Sequence, residues 1–133
     1  MIAEQVAQIR SVCLALQGGD IVARYNDAEI AAICNGVGAV WMDRVAPHAS
    51  AILNRCLPWA VAPAIIHDLR YHEGAGGSRG RAHAHSAFLA GCRIMIDACS
   101  LWRLPRWWRR RKADALYLIL RRYGALAWEG NND

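Results

Sequence analysis

Along this chain of 133 residues, apolar side chains recur every three or four positions, and no segment alternates apolar with polar. That spacing follows the roughly 3.6-residue turn of an α-helix and not the repeat of a strand, so the expected fold is all-α. Ile2, Val6, Ile9, Cys13 and Leu16 mark a first helix over 2–17, stopped by Gly18 and Gly19. Asn26 and Glu29 form the capping-box pattern of a second, short helix ending at Asn35 and Gly36. Ala49, Ile52, Leu53 and Cys56 align as another helix between Pro47 and Leu57, closed off by Pro58. A long helix from about Arg81 to Ser100 carries His85, Leu89, Cys92, Ile96 and Cys99 on one stripe, with Phe88 beside them. A last helix over 106–123 turns Trp108, Ala115, Leu116, Ile119, Leu120 and Tyr123 inward and stops at Gly124. The length suits a single domain, 1–133.

Chemistry concentrates in Pro63-Ala-Ile-Ile-His-Asp-Leu-Arg-Tyr71, read as part of a helix over about 62–72. Pro63 suits its first position because it has no N–H to lose. Ala64, His67 and Tyr71 then share a stripe, and Asp68 lies about 100° round from His67, in a neighbouring sector of one pocket. A histidine able to take a proton from water, beside a carboxylate able to hold a cation, is the equipment of a metal-assisted hydrolase. The plainer alternative is a core histidine donating to a carbonyl, with Asp68 solvated. The glycine-rich run from His72 to Gly80 reads as a hairpin returning the chain antiparallel, so that His85 faces the same interior as His67. His83 falls on another face and cannot share an ion with His85 on a helix. A transition-metal site would draw on His67, Asp68, His72 and His85, but His72 is five residues from His67 and points away from it.

Cys34-Asn-Gly-Val-Gly-Ala39 is a glycine-spaced loop whose backbone can turn several carbonyls or amides toward one point. At the other end, Leu101 to Lys112 interleaves Trp102, Trp107 and Trp108 with Arg106, Arg109, Arg110 and Arg111. Indole rings settle at headgroup depth and guanidinium groups hold phosphate, so this segment is a candidate membrane or partner surface. The net charge is +5, and eight of the sixteen basic residues lie between Arg103 and Arg122. Charge alone does not separate lipid phosphate from nucleic acid. The five cysteines are widely spaced with no CxxC pair, which suits a reduced chain and not a zinc ribbon or thioredoxin-type site. The N-terminus does not read as a signal peptide, and the longest uncharged apolar run, Cys56 to Ile66, is too short to cross a bilayer.

With these motifs placed, the chain resembles the phospholipase A2-like proteins encoded by bacteriophages and prophages. In that family a Cys-Asn-Gly-x-Gly loop precedes an Ile-His-Asp-x-x-Tyr helix and then Ala-Asp-x-x-Phe-Leu; here these are Cys34 to Gly38, Ile66 to Tyr71 and Ala84 to Leu89. The latter half is also similar to an uncharacterised phage protein family. The resemblance implies a phospholipase A2-like core of two antiparallel helices, about 62–72 and 81–100, with additional packing helices. It implies calcium-dependent hydrolysis of phospholipid esters at a membrane surface. His67 would be the base, and Asp68 would bind calcium with backbone carbonyls of Cys34, Gly36 and Gly38. The Gly36 amide would help to stabilise the oxyanion, and Tyr71 would brace the group behind His67. That group departs from the family: His85 stands where the orienting aspartate belongs, which weakens the expected catalysis. The alternative is a non-enzymatic phage structural or host-interaction module binding through its Arg/Trp segment. Either protein is expected in the bacterial cytoplasm or the virion.

Overall fold

The computed structural model describes residues 1–34, 48–98 and 105–123, and all of their regular structure is helical. The helices are α1 (Ala3–Ala15), α2 (Asp27–Ile33), α3 (Ala49–Cys56), α4 (Val61–Glu73), α5 (Gly77–Ala98) and α6 (Arg106–Tyr123). Two 3-10 segments, Gly19–Arg24 and Pro58–Ala60, precede α2 and α4. The chain is organised around α4, which is covered on nearly every side. Ala62, Ile65, Ile66 and Leu69 pack with Val6, Cys13 and Leu16 of the α1 region, Ile21, Val22, Ile30 and Cys34. Its Ala64 joins a second cluster with Trp59, Phe88, Cys92, Ile96 and Ala113. Truncating a fully enclosed residue such as Ile65 to alanine is worth about 2–5 kcal/mol.

Two devices fix the helices around α4. Arg10 on α1 donates to Asp27 Oδ1 at 2.7 Å and to the carbonyls of Val22 and Tyr25, tying α1 to the 3-10 turn and to α2. At the α4–α5 crossing, Gly91 lies against Pro63, and a Cβ there would stand 3.1 Å from the Pro63 ring. The antiparallel pair is therefore set close, and His67 and His85 face each other across it.

Several expectations shift. Helix α4 begins two residues before Pro63, which costs nothing because the first four N–H groups of a helix have no intrahelical acceptor. Glycines 74, 76 and 77, all with positive φ, confine the turn to a few residues, and α5 starts at Gly77 instead of Arg81. In α3, Ile52 and Cys56 are exposed, not inward, because that short helix touches the body chiefly through the Pro58–Ala60 turn. In α6 the expected inward face is rotated. Arg109 and Ala113 are buried and Leu116 and Leu120 pack partly covered against the core, while Trp108, Ala115 and Ile119 are exposed. Cys99 and the chain beyond Tyr123 lie outside the described residues.

Candidate active site

Four of the residues singled out in the sequence meet between α4 and α5. His67 and Tyr71 lie one helical turn apart on α4, with ring centroids 4.2 Å apart. The His85 ring from α5 stacks on His67 at 5.6 Å and 19°, and Phe88 closes the His67 ring edge-on. The His67 side chain is only 6% exposed, whereas Asp68 on the adjoining sector is partly open to solvent. Asp68 Oδ1 stands 3.5 Å from His67 Nδ1, a long contact. His67 Nε2 is enclosed and has no hydrogen-bond partner among the described residues.

The other polar atoms of the cluster are matched to each other. The Tyr71 hydroxyl bonds to His85 Nε2. Burial pushes the Tyr71 phenol up to about 12, opposed by the Arg81 charge and reinforced by Asp68, so the phenol carries its proton and donates. Burial also lowers His85 to about 4, helped by His67, Arg81 and Arg121, so this imidazole is neutral near pH 7. A neutral ring that accepts at Nε2 carries its proton on Nδ1. Tyr71 therefore holds His85, the residue in the orienting aspartate's place, and His85 presents a ring face, not a polar atom, to His67.

Cys34, at the end of α2, is buried with its thiol 3.6 Å from the carbonyl of Ile65. Burial raises that thiol strongly, and the Asp68 charge adds to the rise. The N-terminal edge of the glycine loop is thus seated on α4 within one turn of Asp68, across thirty intervening residues. Gly36 and Gly38 themselves lie outside the described residues. For calcium, the donor chemistry fits: a carboxylate with solvent access, next to the start of a loop with carbonyls to offer, supplies the hard oxygens this ion prefers. For a transition metal it does not. Among the described residues no three His, Cys, Asp or Glu side chains converge on an ion, and His72 is turned outward beside Tyr25. Cys13, Cys34, Cys56 and Cys92 are free thiols.

The Arg/Trp segment divides. Trp107 and Trp108 are 62% and 44% exposed and pack edge-to-face, with Arg106 and Arg111 also exposed. Arg110 is exposed too, but its guanidinium grips Asp97 on α5 at 2.8 and 3.0 Å. Arg109 corrects the expectation of a surface contact: it is 3% exposed, because its position in α6 falls on the stripe of Ala113. Trp102 lies outside the described residues. Sequence reading missed the partners of these cations, although Asp97 and Asp114 were the acids available on α5 and α6; Arg93 takes Asp114 at 3.1 Å. No helix among the described residues is long and apolar enough to cross a membrane. Compared with protein-family models, with curated proteins and with solved structures, the chain matches none.

Proposed function

We propose that the chain is a phage or prophage phospholipase A2-like protein that hydrolyses phospholipid esters at a membrane surface with calcium bound. The observation that carries this reading is the meeting of an enclosed imidazole with a partly open carboxylate, His67 Nδ1 beside Asp68, on the helix against which Cys34 is seated. His67 takes the proton of the attacking water at Nδ1, the nitrogen beside the partly open Asp68, since Nε2 is enclosed. Asp68 would hold calcium together with carbonyls of Cys34, Gly36 and Gly38. Bound there, calcium would stabilise the negative charge that develops on the ester oxygen. Tyr71 and His85 fix the plane of the His67 ring by stacking. Among the described residues no carboxylate answers Nε2, so the imidazolium formed during attack would keep one proton unmatched, and slow turnover is expected.

Fatty-acid release from anionic vesicles tests this directly. Release is expected with calcium and lost in His67→Ala. Release that ignores both calcium and His67→Ala would remove the mechanism.

A second reading is a non-enzymatic phage structural or host-interaction module that binds through α6. The exposed pair Trp107 and Trp108, flanked by Arg106 and Arg111, favours it. Loss of partner binding in an Arg106→Glu, Arg111→Glu variant, with no effect of His67→Ala, would select this reading. Steeply salt-dependent retention on DNA would instead indicate nucleic acid. Under either reading the protein would work in the bacterial cytoplasm or within a virion.

A further inference from the structure

A second feature lies at the opposite end of α4 from Pro63. The last turn of α4, the glycine turn and the first two turns of α5 close with the 3-10 segment Gly19–Arg24 around a cleft of about 480 Å³. That volume is in the range of small-molecule sites, roughly 300–1,000 Å³, and larger than a bare inorganic anion needs. Its charged lining comprises Arg24, Arg70, Arg79, Asp20, Glu73 and His83.

These charges do not cancel. Both oxygens of Glu73 accept from Arg24 Nη1, at 3.0 and 3.1 Å, and Oε1 also accepts from the Tyr25 hydroxyl at 3.2 Å. That acid and that base answer each other. Arg70 and Arg79 then face Asp20 alone, and neither forms an ion pair among the described residues. Arg70 Nε is buried without a hydrogen-bond partner among the described residues. Its guanidinium head lies over Gly18, where a Cβ would come within 2.3 Å of Nη2. The bare backbone at Gly18 is what lets Arg70 reach this position.

Backbone donors add to the same cleft. The first turn of α5 contains no acidic residue, and Gly76 before it has no side chain to cap it. The first closing bond runs from Gly80 N–H to the Gly76 carbonyl at 2.9 Å, which leaves the amides of 77–79 without an intrahelical acceptor. Gly76 and Gly80 line the cleft, so the positive end of this long helix opens into it. Arg79 and His83, one turn apart on α5, stand on the same wall.

We propose that this cleft binds the phosphate group of a phosphomonoester, held by the guanidinium groups of Arg70 and Arg79 and by the first amides of α5, with the remaining volume taken by the group that carries it. Arginine forks and helix-end amides both match the oxygens of a phosphate and are strongest with a doubly charged one. The site is separate from the His67 cluster and holds whether or not that cluster hydrolyses lipid. Its ligand is a soluble phosphate ester or a phosphomonoester lipid headgroup.

The test is a backbone-amide NMR titration of the full chain with glycerol phosphate, paired with sedimentation on phosphatidylcholine vesicles with and without phosphatidic acid. Saturable shifts are expected at Gly76, Gly80 and His83. Arg79→Glu, at an exposed position that spares the fold, and Arg70→Gln should each weaken binding at least about tenfold. His67→Ala should leave it unchanged. Arg79→Glu abolishing retention on phosphatidic acid vesicles assigns the headgroup as ligand; retention unaffected, with the soluble ester lost, assigns the free ester. The proposal is overturned if glycerol phosphate gives no saturable shifts, if shifts spread over the arginines of α6, or if Arg79→Glu binds as tightly as the parent chain.

Discussion

At His85, a polar side chain in the interior is held neutral by its surroundings, and that has a measurable price in acid. The unfolded chain takes up a proton on this histidine near pH 6.5, whereas the folded chain resists until about pH 4. Between those values the unfolded state binds more protons, so stability is full above pH 6.5 and falls as the pH drops toward 4, by on the order of 3 kcal/mol. Denaturant titrations across that window should show the decline, and His85→Gln should flatten it. Tyr71→Phe leaves His85 Nε2 buried without its donor and should cost about 1–3 kcal/mol at neutral pH by the same measurement. That His67, Tyr71 and His85 share an interior was legible in the sequence, because helical spacing alone sets which side a residue takes. Their pairing was not. Which of two rings receives the Tyr71 proton depends on rotamers and on the distance across the α4–α5 crossing, and no periodicity encodes either.

Among the elements, legibility followed the strength of local signals. Asn26 and Glu29 form the expected reciprocal cap, with the Asn26 side chain accepting from the Glu29 N–H at 2.9 Å and the Asn26 N–H donating back at 2.7 Å. Asn26→Ala should therefore lower stability by about 1 kcal/mol in thermal or chemical unfolding. The bounds of α6 also matched, since Pro105 and Gly124 punctuate it. Its buried face did not match, because arginine stems and tryptophans make both sides of that helix look plausible as an interior. Arg109 went in and Trp108 came out. The start of α5 was hidden for the opposite reason: a run of glycines reads as loop, yet Ser78 to Gly80 continue the helix once Gly76 has made the turn. Close approach of α5 to α4 at Gly91 is a sharper test of the packing. Gly91→Val must push on the Pro63 ring, and a loss of about 1–3 kcal/mol is expected.

For the whole molecule, the helical body places three unlike features on one small scaffold: a histidine cluster at the α4–α5 crossing, an arginine-lined cleft at the α4–α5 turn, and an aromatic, basic face on α6. Trp107→Ala with Trp108→Ala should weaken sedimentation with anionic vesicles at little cost in stability, since both rings are exposed. Hydrolysis would bind the first and third features into one activity, the face holding the protein at the lipid while the cluster attacks an ester. Fatty-acid release from anionic vesicles, followed with calcium and with chelator, for the parent chain and for His67→Ala, tests that most directly. Slow release that requires both calcium and His67 is the expected result; no release above the vesicle background, or release that His67→Ala and chelator leave intact, would contradict it.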